Sequence, residues 1–449
     1  MATDSEFEFT ALDALRHSGI AIASDGAEYL KIKEFNPTDA TSNPSLVSHA
    51  LSKPEYVHIF TDAVHYARST LPTASLEEQT ELAMDRLLVQ VGAEILNIIP
   101  GRVSVSVDPR LGYDYHGILN KAKSLTSLFN ALSPPIPPSR VLIKIPATYP
   151  GILAAHTLES LPSSPIHTNL TLVFGRVQAV ACAQAGVSVI SPFIGRVKDW
   201  WDARALDVGL ISESEEEVRK KKEANVEDHP GIKLVREVRS AYTRMGTKTQ
   251  VMAAGFRSVD EIVEVGRYGS EGGPDLVTLP PELLDGLRRR EGVVRADDST
   301  SPPPASTSTP TPLTTPLYFD PTSPDPEGTL FENGLKEEGG IALDKVPEGL
   351  EKFSKDARKL EGRVRCALEV LSKAAAARGK SQMGVVGPDG ENGQLERMTT
   401  TMTTLVTKKG LEGIEWVEQA SNLNLNLCAV VQEGVTAVGQ CLGQSVKVK

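Results

Sequence analysis

The chain has little cysteine. Cys182, Cys366, Cys428 and Cys441 are the only four in 449 residues, far apart and with no C-x-x-C pair. That pattern argues against a disulfide framework and against a structural zinc site. Long apolar runs are also missing, and no stretch reaches the length of a membrane span. The opening residues, MATDSEFEFTALDALRHSG, carry acids where a signal peptide carries Lys or Arg and then an apolar run. Basic charge is short as well, with a formal net charge of -11. General nucleic-acid binding draws its affinity from Lys and Arg, so that class is disfavoured, whereas a small anion needs only a few local arginines. No G-x-G-x-x-G follows a strand-like run, which removes the commonest dinucleotide fingerprint; the glycine-rich VVGPDGENG at 385–393 reads as a flexible loop. These absences lead to the expectation of a cytoplasmic protein with no nucleic-acid or membrane partner. The sequon NLT at 169–171 then needs an explanation other than glycosylation.

What is present is a repeating pattern. Short β-type runs occur at residues 19–25, 39–43, 103–108, 141–146, 168–174, 187–193, 250–256 and 274–280. Helix-length segments lie between most of them. Residues 75–99 place apolar side chains at three- and four-residue spacing behind acids in the first turn, residues 233–246 end at a glycine, and residues 258–269 open with a serine cap and an acid three positions on. Eight strands alternating with helices predict an α/β fold with parallel βα units, and the size suits a closed (β/α)8 TIM barrel. A doubly wound open sheet is the alternative.

Composition changes near residue 295. We read 1–295 as the barrel and catalytic domain and 296–328, rich in Pro, Ser and Thr, as a disordered insertion that cannot bury a core of its own. Residues 329–377 return to a helical pattern despite Pro347 and read as a C-terminal helix packed on the barrel; 378–449 form a poorly structured extension of unassigned role.

The run VLIKIP places Lys144 among Val141, Leu142, Ile143 and Ile145. An ammonium there is costly. Alternation puts Leu142, Lys144 and Pro146 on one face, and in a barrel that face is the interior. Other polar residues also fall late in, or just after, their strands: Asp25, Asp39 and Asn43, Ser106 and Asp108, Asn169 and Thr171, Ser191 and Arg196, and Arg257. Barrel active sites form at that end. Two readings of Lys144 stay open: a structural bridge to Asp25 or Asp108, or an amine held neutral as a nucleophile.

Several stretches in order resemble the transaldolase family, in its longer subgroup. They are DATSNPSL at 39–46, VLIKIPATYPGILAA at 141–155, NLTLVF at 169–174, AGVSVISPFIGRVKDWW at 185–201, VMAAGFRSVDEI at 251–262 and ALDKVPEGLEKFSKDARKLE at 342–361. The similarity covers roughly residues 10–292 and 330–365. The resemblance implies a class I aldolase-type barrel with no metal and no organic cofactor. It implies that Lys144 forms an imine with a ketose phosphate, that Asp25 moves the C4 hydroxyl proton, and that Thr171 positions a water. Asn43, Asn169 and Ser191 would hold the substrate, Phe193 would wall off solvent, and Arg196 and Arg257 would bind the phosphate, a task suited to guanidinium donors. The implied reaction is transfer of a dihydroxyacetone unit from sedoheptulose 7-phosphate to glyceraldehyde 3-phosphate in the non-oxidative pentose phosphate pathway. The implied partners are small sugar phosphates, and a homodimer is left open.

Two positions depart from the family pattern. Ser106 stands where the family has a glutamate, and Gly255 where it has a phosphate-binding serine. Serine cannot ionise, so proton transfer during imine formation loses its usual agent. Two further readings follow: an aldolase of altered substrate or reduced activity, and a non-catalytic barrel kept as a scaffold.

Overall fold

The computed structural model describes residues 9–207, 226–290, 316–322 and 328–382. Eight parallel strands close into a barrel in chain order: β1 (Ala21–Asp25), β2 (Asp39–Thr41), β3 (Val103–Ser106), β4 (Val141–Pro146), β5 (Thr168–Val173), β6 (Val189–Pro192), β7 (Gln250–Ala253) and β8 (Leu276–Leu279), with β8 paired back to β1. The fold is a (β/α)8 TIM barrel and not an open sheet. Most strands are shorter than their sequence runs because residues at the ends of those runs, polar and apolar alike, leave the ladder and enter loops. Asp108, for example, lies beyond β3 and caps the short turn Pro109–Leu111.

The barrel holds because its strands are buried on both faces and largely apolar. Every residue of β4, β5 and β6 is buried. Inward-facing Ala23, Leu142, Val189, Met252 and Leu276 form one apolar layer. Side chains alternate along a strand, so Asp25, Lys144, Ser191 and Thr278, two residues further on, rise as the next layer toward the strand C-termini. That layer is polar, and it carries the site. Asp39, grouped in the sequence with the strand-end residues, belongs elsewhere. It opens β2 and pairs with Arg102 (Nε–Oδ2 3.2 Å) at the start of β3, which makes it part of the opposite end of the barrel.

Contacts divide the chain into two compact units, residues 1–43 with 92–354 and residues 44–91 with 355–449. The first contains the whole barrel. It also includes residues 316–322 from the Pro/Ser/Thr tract, where Phe319 is buried and its ring lies 6.1 Å from Tyr149 and 5.4 Å from His156. The tract has no core of its own, but its aromatic stretch LYF finds one in the barrel's helices. Gln184 secures it by accepting from the Tyr318 and Phe319 amides.

In the second unit, the helix Ile341–Gln382, from Lys355 onward, packs with the helices Pro44–Ala50 and Val57–Thr70. Arg363 donates to the Ser48 and Leu51 carbonyls, which would otherwise be unsatisfied helix-end acceptors, and lies over the Phe60 ring. Among the described residues no helix is long and apolar enough to cross a membrane. The glycine-rich 385–393, most of the 296–328 tract and the extension beyond 382 lie outside the described residues.

Candidate active site

Lys144 is the centre of the polar layer. It sits on β4 beside Ser106 of β3 and Asn169 of β5 in the parallel registers. Only 7% of it is exposed. Burial pushes its amine pKa below the ordinary lysine value, and the negative charge of Asp25 pulls the other way without cancelling that effect. Among the described residues the amine forms neither a hydrogen bond nor an ion pair. The structural-bridge reading therefore fails on both candidates. Asp108 is taken by Arg110 (Oδ2–Nη2 2.5 Å), and Asp25 accepts a hydrogen bond from the Thr41 hydroxyl at 2.7 Å.

Asp25 ends β1 and is half-buried. Thr41, its in-register neighbour on β2, also lies 2.7 Å from the Thr278 hydroxyl of β8. The carboxylate is thus fixed by a short chain of hydroxyls running across three strands. Asn43 follows β2 in the adjoining loop and is also half-buried.

On β5, Asn169 is fully buried and locked at both ends of its amide. It donates to Ser104 Oγ at 3.1 Å and accepts from Ser191 Oγ at 2.7 Å. A side chain so enclosed is no glycosylation acceptor, which disposes of the sequon. Thr171, two residues on, is buried, and its hydroxyl has no protein partner among the described residues. Immediately after it the strand breaks register, and Leu172 takes a left-handed conformation with φ 59°. Such backbone costs on the order of 1–3 kcal/mol and persists only where the surroundings impose it. Gln178 does so. Its amide donates to the Leu172 and Ala147 carbonyls and accepts from the Phe174 amide, tying the ends of β4 and β5 together.

The two arginines follow β6 and β7. Arg196 lies in the first turn of the helix Ile194–Asp207, with its guanidinium 5.8 Å from the Phe193 ring centre. Phe193 itself packs on Phe174, with ring centres 6.0 Å apart. Arg196 Nη1 is buried without a partner, and burial lowers the Arg196 pKa, opposed by Glu348. Arg257 is exposed and pairs with Asp199 at 2.9 Å. The charges of Arg196 and Arg257 repel each other across this corner, and an anion bound between them would relieve that repulsion.

Gly255 has φ 73° and faces Phe193, where an added Cβ would lie at an ordinary 3.4 Å. There is room for a serine at that position, but its backbone would be strained.

Asp25, Lys144 and Ser191 thus lie in one layer, Asn169 neighbours Lys144 in the ladder with Thr171 one step further along β5, Phe193 directly follows β6, Arg196 lies in the first turn of the next helix, and Asn43 and Arg257 lie in loops. Thr41, Gln178 and the Leu172 bulge went unnoticed. Thr41 was visible inside DATSN. Nothing marked Gln178 within a helix.

A closed parallel barrel with a buried lysine and a nearby carboxylate has the build of an aldolase-type enzyme. Comparison with known proteins gives the family. The profile described as Transaldolase/Fructose-6-phosphate aldolase matches residues 22–364. Curated proteins named transaldolase are similar over most of their length. One from Saccharomyces cerevisiae is 37% identical over 356 residues, covering 77% of this chain and 92% of its own, and one from Protochlamydia amoebophila is 36% identical over 365 residues, covering 81% and 99%. One from Gibberella intermedia is 36% identical over 353 residues, covering 78% and 97%. The chain belongs to the transaldolase/fructose-6-phosphate aldolase family and is an enzyme of the aldolase and transferase kind.

Proposed function

We propose that the protein is a transaldolase that works through an imine on Lys144. The observation that carries this is the Lys144 amine itself, enclosed, unpaired and held below its ordinary pKa. A larger share of neutral amine is what attack on a ketone carbonyl requires.

In this reading the Lys144 nitrogen adds to C2 of a ketose phosphate such as sedoheptulose 7-phosphate. Loss of water leaves a protonated imine, and Asp25 takes the C4 hydroxyl proton as the C3–C4 bond breaks. The bond electrons flow into the imine, and an aldose phosphate departs. The three-carbon unit stays on Lys144, held by Asn169, Ser191 and Asn43. It then adds to the aldehyde of glyceraldehyde 3-phosphate, with Asp25 returning a proton. Thr171 offers its unpartnered hydroxyl to the water that forms and later cleaves the imine, and Phe193 limits the access of other water. Arg196 and Arg257 take the phosphate. Such a reaction belongs to the non-oxidative pentose phosphate pathway, with small sugar phosphates as partners.

Ser106, next to Lys144 in the ladder, favours a second reading, an aldolase with altered substrate or slowed chemistry. Gly255 supports it by leaving the phosphate corner one hydroxyl short of the family pattern.

Borohydride reduction in the presence of fructose 6-phosphate tests both. The wild type should retain a covalent adduct and Lys144→Ala none. An untrapped wild type ends the imine mechanism. A trapped wild type that fails to transfer the three-carbon unit from sedoheptulose 7-phosphate to glyceraldehyde 3-phosphate supports the second reading.

A further inference from the structure

The helix Pro230–Met245 begins with an unusual cap. His229 fills the cap position, and its Nδ1 accepts from the Gly231 and Ile232 amides at 3.1 and 3.3 Å. With Nδ1 acting as acceptor, the ring proton of the neutral imidazole resides on Nε2. Nε2 lies 3.3 Å from Glu261 Oε1, a close polar contact without full hydrogen-bond geometry, and both side chains are buried.

The other oxygen of Glu261 is also in use. Oε2 accepts from the Arg257 amide at 2.7 Å. Glu261 is the third residue of the helix Val259–Gly266, whose cap Ser258 accepts from the Glu261 amide. In a reciprocal capping box the glutamate would reach back to the amide of Ser258 itself. Here it reaches one residue further, to Arg257. Burial pushes the Glu261 pKa up, but the nearby His229 ring and the Arg257 amide outweigh that and hold it below the ordinary glutamate value.

The start of the His229 helix also lies against the other half of the phosphate corner. A side chain at Gly231 would overlap the backbone of Ile194, two residues before Arg196. One buried imidazole thus meets, through Glu261, the backbone of one arginine, while its own helix abuts the start of the helix carrying the other.

We propose that His229 is a positioning residue for phosphate recognition, acting through Glu261 on the backbone of Arg257. His229 does not touch substrate. It fixes the carboxylate that fixes the Arg257 amide, and so the point from which the guanidinium extends. The inference rests on the reading of Arg257 as a phosphate ligand, and its test separates the two.

The experiment uses the full chain and borohydride trapping, with half-saturation measured for fructose 6-phosphate and for unphosphorylated fructose. His229→Asn keeps a cap acceptor, so the helix start survives, but its shorter amide does not span to Glu261. Glu261→Gln keeps the shape and has too few acceptor oxygens to serve both partners. Each should raise half-saturation for fructose 6-phosphate about ten-fold, the usual scale for losing a hydrogen bond to a charged group, and so shrink the preference for the phosphorylated ketose. A merely structural role would weaken both ketoses alike and leave their ratio unchanged, and that result overturns the proposal. Arg257→Gln is measured alongside. If it shrinks the preference while His229→Asn and Glu261→Gln leave it intact, the positioning role falls and the phosphate reading stands. If Arg257→Gln leaves the preference intact, the phosphate reading falls and takes the inference with it.

Discussion

Ser106 and Lys144 are direct partners in the ladder between β3 and β4, so their side chains point to the same face of the sheet. The Ser106 hydroxyl reaches no further than the Ser42 carbonyl, at a long 3.5 Å. A carboxylate at this position would stand beside the amine and could pass protons to and from a bound water. Ser106→Glu should therefore speed imine formation, by about 10²-fold if general acid–base help is what the wild type lacks. The same charge would favour the ammonium form of Lys144, so the pH–rate profile for trapping should move to higher pH. Rapid-quench borohydride trapping across a pH series measures both. No change in rate would mean that another group already moves the proton.

The buried amine should cost stability. Lys144→Met, of similar length and without the charge, should abolish trapping and at the same time stabilise the fold, on the order of 1–2 kcal/mol at neutral pH. The sign follows from linkage. The folded pKa of Lys144 lies below the unfolded value, so between the two pKa values the unfolded chain binds more protons and stability rises with pH. The wild type bears the full penalty below the folded pKa and sheds it by the time pH passes the ordinary lysine value of about 10.4. The advantage of Lys144→Met in urea midpoint should therefore shrink as pH approaches that value. A constant advantage would mean that packing and not charge explains it.

Much of the site was legible because a barrel turns sequence position into spatial position. Once β4 is inward at Leu142, Lys144 is inward one step nearer the strand C-terminus; the same count turns Asn169 and Thr171 to one face of β5 and places Ser191 one step beyond Val189. What escaped were contacts set by closure. Thr41 meets Thr278 only because β8 returns to within reach of β2 across β1. Leu172 is left-handed because β5 shifts register against β6, and no local propensity of leucine announces that. His229 and Glu261 are far apart in sequence; Glu261 shows there only as the acid of a helix cap, and nothing in the sequence ties His229 to it. Asp39 shows the converse: position within a motif suggested the site, while strand direction put it at the other end.

Thr41 offers a clean test of carboxylate positioning. Thr41→Val keeps the β-branched shape on β2 but removes the hydroxyl that donates to Asp25. Removing that hydrogen bond should cost about 1–2 kcal/mol in stability, since Thr278 is left without its hydroxyl partner on Thr41 as well. Turnover should fall about ten-fold, the scale of one lost hydrogen bond to a charged group. Trapping of dihydroxyacetone, which needs no C3–C4 cleavage, should fall much less. Equal losses in the two assays would place Thr41 outside the cleavage step.

Gly349, on the helix Ile341–Gln382, lies close against Leu172 of β5 and Arg196. A Cβ there would lie 2.7 Å from Leu172 Cδ2 and 2.9 Å from Arg196 Nη1. Neither neighbour yields easily, since Leu172 is already held in a left-handed conformation and Arg196 is half-buried against Phe193. Gly349→Ala would gain helix propensity of roughly 1 kcal/mol at an unconstrained site. Here overpacking of about 1–3 kcal/mol should outweigh that gain, so the substitution should lower the melting temperature. The Arg196 contact is the unpartnered end of a long side chain, so it should move first, and half-saturation for a phosphorylated ketose should rise more than that for its unphosphorylated counterpart. A stabilised Gly349→Ala variant with unchanged phosphate preference would show that the helix can shift away without disturbing the arginine, and that the glycine is not what sets the Arg196 position.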